Sequence, residues 1–245
     1  MSIADRREQV ISLAGVPALA VASGAPGAAA DRGTILLLHG LTAAKEVQRT
    51  EASSLADRGY LAVTIDAVGH GARRYADFDA RFADDRGEAS FFEVVRRTAA
   101  EIPAVLAALA DLGWTRPGRV GACGISMGGF TLFGAITARC ALDAAATIVA
   151  SPRWLHGPTS PHAELDRFFP TPLLMQTGAH DPVVPPVAAH DLHEALAPRY
   201  ASAPDRLRYV EHAGEAHMFS ERAWHHAWGE VLTWFDRHLR GSAAT

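Results

Sequence analysis

Short runs of consecutive apolar residues, separated by stretches with helical periodicity, constrain the fold of this 245-residue chain more than any other feature. The runs have strand length and lie at residues 34–38, 60–65, 119–125, 144–150, 173–177 and 207–210. They lack the alternation of a half-exposed strand, which is typical of parallel strands covered on both faces. Helices are predicted between them, at 45–58, 89–112, from 127 onward, at 187–196 and at 222–239. This alternation predicts an α/β fold with right-handed crossovers and a mostly parallel sheet.

The flanking and connecting segments complete the expected architecture. The N-terminal residues predict an antiparallel hairpin that turns at residues 15–17, followed by a loop rich in Gly, Ala and Pro at 23–33. Residues 152–170 contain several prolines and predict a short irregular excursion over the sheet that could serve as a lid. Because there is no internal repeat and no long linker, we expect residues 1–245 to form a single domain.

The composition excludes several functional classes. A formal net charge of −4 and the absence of a dense Lys/Arg run argue against a nucleic-acid partner. No apolar run reaches the length of a membrane span, and the segment before residues 10–22 lacks the positive charge of a signal peptide. The two cysteines, Cys123 and Cys140, suit neither a disulfide framework nor a metal site. We therefore expect a cytoplasmic protein with no metal and no cofactor.

The motif Gly124-x-Ser126-x-Gly128 lies between the predicted strand at 119–125 and the helix that follows. A serine on a sharp strand-to-helix turn exposes its Oγ above the sheet edge, and its neighbours two residues away must be small. A tight turn without catalytic role would show the same glycines, so the motif needs partners. With suitable partners, Ser126 is predicted to be a nucleophile.

An aspartate and a histidine stand at two later strand ends. Asp181 follows the strand at 173–177 and His217 follows the last strand, which gives the chain order serine, aspartate, histidine. That order is expected of a hydrolase whose serine lies on such a turn. The imidazole can accept the proton of the serine hydroxyl, and the carboxylate fixes the imidazole tautomer. The alternative candidates for the acid are Asp66, Glu164 and Asp166. Those for the base are His180 and His212.

Two backbone N–H groups are expected to bind the oxyanion. Met127 follows the serine at the start of its helix, and Leu41 ends the turn that follows the first buried strand. Both residues could also line the substrate pocket. Proximity in the chain to the catalytic positions adds Trp154, Met218 and Phe219 as candidates for that pocket.

Several polar residues near the predicted site admit two interpretations. His39 and His70 each precede a glycine and are expected to organise loops through hydrogen bonds rather than to bind a ligand. Lys45, Arg73 and Arg74 are expected near the site entrance, where they form either a solvated face or a contact to a substrate carboxylate.

Together these motifs resemble the α/β-hydrolase fold superfamily over nearly the whole chain. The resemblance is carried by residues 36–40, 66–71, 124–129, 178–185 and the loop of His217. Within the superfamily the chain is similar to compact bacterial carboxylesterases of the branch that resembles dienelactone hydrolases and prolyl oligopeptidases. Dienelactone hydrolases carry a cysteine nucleophile, so Ser126 departs from their pattern and puts a lactone substrate in doubt.

The resemblance implies a serine-dependent carboxylesterase that acts on a small-molecule ester, and the lack of a large cap favours short acyl groups. Two other functions stay open at this point. One is an acyltransferase or peptidase that uses the same three residues, and the other is a non-catalytic ligand-binding member of the fold.

Overall fold

The computed structural model describes residues 6–83 and 86–239, in which eight strands form one sheet. The strands are β1 (Arg6–Leu13), β2 (Val16–Ser23), β3 (Thr34–Leu38), β4 (Leu61–Ile65), β5 (Val120–Ile125), β6 (Ala144–Ile148), β7 (Leu173–Gly178) and β8 (Leu207–His212). Their order is β1-β2-β4-β3-β5-β6-β7-β8. Strands β3 to β8 run parallel, while β2 pairs antiparallel with both β1 and β4. The predicted mostly parallel sheet with an N-terminal antiparallel hairpin is confirmed.

Helices cover both faces of this sheet. They are α1 (Pro26–Ala29), α2 (Arg49–Asp57), α3 (Phe78–Arg81), α4 (Arg86–Asp111), α5 (Met127–Thr137), α6 (Val187–Leu196) and α7 (Glu221–His238). The apolar sides of α2 and α7 form a core with one face of the sheet, and those of α4, α5 and α6 form a second core with the other face. Every residue of β3, β4, β6 and β7 is buried, as expected of strands covered on both sides. Within the described ranges no helix combines the length and the apolar character that a membrane span requires.

The structure differs from the sequence-based expectation mainly in short elements. The hairpin turns at Ala14 and Gly15, whose φ angles are +50° and +83°, so Val16 and Pro17 already belong to β2. Two consecutive positive φ angles match the twist of a tight hairpin turn. The predicted helix at 45–58 divides into a 3₁₀ turn (Lys45–Gln48) and α2, and the expected loops contain the one-turn helices α1 and α3.

Residues 152–170 contain only two 3₁₀ turns, Pro161–Ala163 and Leu165–Arg167. Side chains of α4 anchor this segment, because Arg96 donates to the carbonyl of Leu155 at 3.1 Å and Glu88 pairs with His156 at 2.6 Å. The segment therefore lies as a wall against α4.

The parallel strands bring the predicted functional residues to one edge of the sheet. The carboxyl ends of β3, β5, β7 and β8 all point to that edge, and each is followed by a loop or turn from the sequence motifs. Ligand sites in open α/β sheets lie outside this edge.

Candidate active site

Ser126 connects β5 to α5 in a strained backbone conformation. Its φ and ψ angles are +52° and −120°, a region that residues with a side chain rarely adopt. A Cβ atom at Gly124 would collide with the carbonyl of Gly128, and one at Gly128 would collide with the carbonyl of Leu38. Both glycines are therefore required for the close approach of β3, β5 and α5 that creates the turn.

A chain of hydrogen bonds joins the serine, the histidine and the aspartate chosen from the sequence. Ser126 Oγ lies 3.0 Å from His217 Nε2, and His217 Nδ1 lies 2.7 Å from Asp181 Oδ2. Because an ionised carboxylate only accepts hydrogen bonds, Nδ1 carries the proton of the neutral ring. This leaves Nε2 free to accept the proton of the serine hydroxyl.

The loop after β7 fixes the carboxylate. Asp181 Oδ1 accepts hydrogen bonds from the backbone N–H groups of Val183 and Val184, both at 2.8 Å. The Asp181 side chain is fully buried, whereas that of His217 is 18% exposed. One carboxylate oxygen is thus held by the backbone and the other is directed at the imidazole.

Two backbone segments flank the serine hydroxyl. Met127 begins α5, and the first N–H groups of a helix have no acceptor within it. On the other side, a Cβ at Gly40 would lie 3.6 Å from Ser126 Cβ, which places the turn that ends at Leu41 next to the serine. The N–H groups of Leu41 and Met127 are therefore the candidates for binding an oxyanion, as the sequence predicts.

The competing acid Asp66 has a structural partner instead. Its carboxylate accepts from the Lys45 N–H at 2.8 Å, from the Lys45 ammonium at 3.1 Å and from the Ala72 N–H at 2.9 Å. Burial alone would raise the pKa of Asp66, but these hydrogen bonds and the charge of Lys45 outweigh it and lower the pKa. Asp66 thus ties the loop after β4 to the segment after β3, and its hydrogen bonds go to that framework rather than to His217.

The expectation for the basic residues at the entrance is wrong for Lys45 and Arg73. Lys45 is buried and pairs with Asp66 and Glu46, and Arg73 is half-buried in a salt bridge with Glu101, so both cations are already paired within the protein. Arg74 alone belongs to a solvated face, where it pairs with an exposed aspartate. None of the three lines the cavity at Ser126.

The remaining histidines near the site have other partners. His39 Nε2 accepts from the Ala67 N–H at 3.0 Å, and burial lowers the pKa of His39 to about 4. His70 Nδ1 contacts the carbonyl of its neighbour Val68 at 2.9 Å. His212 is buried against Gln176 at 3.0 Å. His39 and His70 therefore hold loops together, as predicted, and His212 is occupied in the core.

Ser126 and His217 open into a cavity of about 1160 Å³ whose lining is mostly apolar. Leu41, Met218 and Phe219 line it, as expected. Trp154 and Met127 do not. Met127 is completely buried, and the Trp154 ring packs against Gly134 of α5, where any side chain at position 134 would collide with it. The expected pocket role of Trp154 is thus wrong, and its neighbours Arg153 and Leu155 line the cavity instead.

Several lining residues had no signal in the sequence beyond their apolar character. Phe91, Phe92 and Phe130 form an aromatic cluster in the wall, with ring centroids 5.2–6.0 Å apart. Trp224 belongs to the apolar stripe of α7 that packs on the sheet, but it also lines the cavity and donates its indole N–H to Glu51 at 3.1 Å. A helical period identifies such residues as core but does not show which end of the stripe emerges at a site.

Cys123 is fully buried in β5, and burial raises the pKa of its thiol, which disfavours a reactive thiolate. Among residues 6–83 and 86–239 no three His, Cys, Asp or Glu side chains come together in a metal-binding group.

Known proteins resemble this chain in sequence and in fold. A family model described as "Dienelactone hydrolase family" matches residues 24–239. A protein of Bacillus subtilis (strain 168) named "Putative esterase YitV" is 25% identical over 235 aligned residues, which cover 84% of this chain and 89% of that protein. The structure of TT1662 from Thermus thermophilus is similar to this one, with a TM-score of 0.80 and 21% sequence identity. The alignment covers 96% of this chain and 99% of the TT1662 chain.

A puromycin-hydrolyzing peptidase from Mycobacterium tuberculosis is similar over 98% of this chain, with a TM-score of 0.72 and 22% identity, but over only 40% of its own length. At these sequence identities, the solved structures support the assignment of the fold and nothing finer. They confirm the predicted α/β-hydrolase architecture.

Proposed function

Because the chain belongs to the dienelactone hydrolase family of the α/β-hydrolase superfamily, we propose that it is a serine-dependent hydrolase that cleaves carboxylic esters through an acyl-enzyme on Ser126. Family membership and the resemblance to an esterase support hydrolase activity in general. The observation that carries the finer proposal is the hydrogen-bonded chain from Ser126 through His217 to Asp181 at the cavity.

In the first half of the proposed reaction, Ser126 Oγ attacks the ester carbonyl carbon while His217 Nε2 takes the hydroxyl proton. The carbonyl oxygen becomes an oxyanion, which the N–H groups of Leu41 and Met127 bind. As the tetrahedral intermediate collapses, the C–O bond to the alcohol breaks. His217 then returns the proton to the departing alkoxide.

In the second half, a water molecule attacks the acyl-enzyme while the same imidazole takes its proton. The intermediate again places negative charge between the two backbone N–H groups. Ser126 leaves as the acid forms and recovers its proton from His217. Asp181 stabilises the imidazolium in both halves, because its carboxylate stays within 2.7 Å of Nδ1 in the resting geometry.

The size and the lining of the cavity indicate the kind of ester that fits. Its volume of about 1160 Å³ is slightly above the range of about 300–1,000 Å³ that is usual for small-molecule sites, and apolar side chains dominate its walls. Val47, Leu155, Val183, Val187 and Met218 are exposed around it. Short acyl groups are expected to react, and the size and apolar lining of the cavity also leave room for longer acyl chains.

A panel of p-nitrophenyl esters from acetyl to dodecanoyl tests this proposal directly. We expect kcat/KM to be measurable for acetyl and butyryl esters, to rise toward the middle of the series and to fall for the longest chains. Ser126→Ala measured on the best ester should lose about 10⁶ in kcat. Absence of hydrolysis for every ester would contradict the proposed activity.

The same panel distinguishes the other reactions that an acyl-enzyme permits. A transferase would pass the acyl group to an added amine or alcohol much faster than to water, and a peptidase would cleave the matched p-nitroanilides at comparable rates. We expect hydrolysis of the esters to exceed both.

A further inference from the structure

One wall of the active-site cavity contains a buried carboxylate that the proposed mechanism does not use. Glu51 lies in the first turn of α2, is 9% exposed and lines the cavity. Its Oε1 accepts the indole N–H of Trp224 at 3.1 Å. The cations nearest to it in the chain are engaged elsewhere, since Lys45 pairs with Asp66 and Arg49 pairs with Glu8.

A second acceptor lies one turn earlier in the same wall. Gln48 is 2% exposed and also lines the cavity. Its Nε2 donates to the carbonyl of Leu38 at 3.4 Å, which fixes the orientation of the amide. In the part of the chain that the structure describes, its Oε1 is enclosed and has no hydrogen-bond donor. This amide oxygen does not reach the cavity, but its dipole adds negative potential to the wall beside Glu51.

Two of the other charged residues around the cavity form ion pairs, so the Glu51 carboxylate is the buried charge that characterises the lining. Arg153 is paired with Asp191 at 3.2 Å, and Glu88 is paired with His156 at 2.6 Å. Glu221 adds a further negative charge at the exposed start of α7. The lining therefore favours a cation and opposes a carboxylate in the substrate.

The Trp224 ring strengthens this preference. It lines the cavity beside the carboxylate, and the face of an indole attracts a cation through its quadrupole. A protonated primary amine has three donors and no acceptor, which complements a carboxylate beside an aromatic ring. An aliphatic amine with the pKa of lysine, about 10.4, is charged at neutral pH.

We propose that Glu51, with Trp224, forms a subsite for an ammonium group, and that the preferred ester carries an aliphatic amine in its acyl or its alcohol part. The proposal deepens the proposed ester hydrolysis and rests on it. Glu51 acts as a specificity determinant that contacts the substrate away from the bond that is cleaved.

Matched pairs of esters test the subsite. In the acyl series, p-nitrophenyl 6-aminohexanoate is compared with p-nitrophenyl heptanoate, which replaces the ammonium by a methyl group. In the alcohol series, 6-aminohexyl butyrate is compared with heptyl butyrate. The quantity measured is the ratio of kcat/KM for the charged ester to that for its neutral counterpart, in the wild type and in Glu51→Gln.

The Glu51→Gln variant removes the charge but keeps an acceptor for the Trp224 indole, so the wall is expected to stay folded. Its ratio should fall about tenfold to a hundredfold in one of the two series, as expected for the loss of a hydrogen bond to a charged group. The neutral esters should react within about twofold of the wild type. Glu93→Gln makes the same change on the surface of α4, where Glu93 pairs with Arg97, and should leave both ratios unchanged.

An unchanged ratio in both series, or an equal fall in Glu93→Gln, would overturn the subsite. If the wild type hydrolysed none of the esters, the proposed function would fail. The subsite would then be tested separately by a direct measurement of ligand binding. In that case calorimetry should show that Glu51→Gln weakens binding of n-hexylammonium at least about tenfold while affinity for 1-hexanol stays within about twofold. Equal affinities of both proteins for n-hexylammonium would refute the proposal without regard to catalysis.

Discussion

Replacement of Asp181 by asparagine changes only one atom of the hydrogen-bonded chain, but the surrounding loop decides how the new side chain lies. The N–H groups of Val183 and Val184 both donate to Oδ1, so the amide oxygen of the asparagine must occupy that position. Its NH₂ group then faces His217 Nδ1, where the carboxylate oxygen lies at 2.7 Å in the wild type. Because an NH₂ group only donates, Nδ1 must become the acceptor, and the ring proton moves to Nε2.

With its proton on Nε2, His217 donates to Ser126 and no longer accepts the hydroxyl proton. We expect kcat for a p-nitrophenyl ester to fall by about 10⁴, the loss seen for the equivalent change in a serine protease, which corresponds to about 5.4 kcal/mol in the activation free energy. Because the buried hydrogen bonds of the loop are kept, the free energy of unfolding should change by less than about 1 kcal/mol. Steady-state kinetics and urea unfolding measure the two quantities independently.

Asp66→Asn is the matched control, because the same change is made on the other buried aspartate that was a candidate acid. It weakens the pair with Lys45 and should cost about 3 kcal/mol of stability, while kcat of the folded fraction stays within about threefold. If Asp181→Asn kept kcat within about tenfold of the wild type, the argument from the loop hydrogen bonds would be refuted. Loss of kcat in Asp66→Asn instead would move the acid to that residue.

Three further predictions concern the framework around the site. Lys45→Met leaves the Asp66 carboxylate buried without its cation and should lower the free energy of unfolding by about 3 kcal/mol in urea. Burial lowers the pKa of His39 to about 4, so the unfolded chain binds its proton first as the pH falls below about 6.5. The His39 contribution to stability is therefore lost on acidification, by up to about 3 kcal/mol between pH 6.5 and pH 4, and His39→Gln should show a shallower dependence in the same titration. Gly128→Ala places a methyl group against a backbone carbonyl and should cost about 3 kcal/mol or more in thermal unfolding, whereas Gly229→Ala, which meets open space on α7, should be neutral or stabilising.

The sequence predicted the long strands and helices because each leaves a clear pattern of apolar residues, either a continuous run or a helical period. Strand β3 was predicted with the bounds that the structure shows, since Thr34 followed by four consecutive apolar residues has strand length and suits a strand covered on both faces. The one-turn helices α1 and α3 were missed because a single turn has too few residues for a periodic signal. Parallel topology then brought Ser126, Asp181 and His217 together at one sheet edge.

The parts of the site that depend on side chains from distant elements could not be predicted in this way. Lys45 looked like a solvated cation in the sequence, and only the loop after β4 supplies the aspartate that buries it. Likewise, Glu51 and Trp224 lie 173 positions apart, and their contact exists only because α2 and α7 cover the same face of the sheet. Trp154 was chosen for its proximity to the site in the chain, but its ring fits the space left by Gly134 and turns away from the cavity.

The most direct test of the central claim is to identify the residue that an active-site-directed fluorophosphonate modifies in the folded protein. Ser126 is hydrogen-bonded to His217 and lies in the cavity wall, so peptide mapping by mass spectrometry should find one adduct, on Ser126, with ester hydrolysis lost in proportion to labelling. Ser126→Ala should neither react nor hydrolyse. Labelling of another residue would contradict the account. Full ester hydrolysis by Ser126→Ala would contradict it as well.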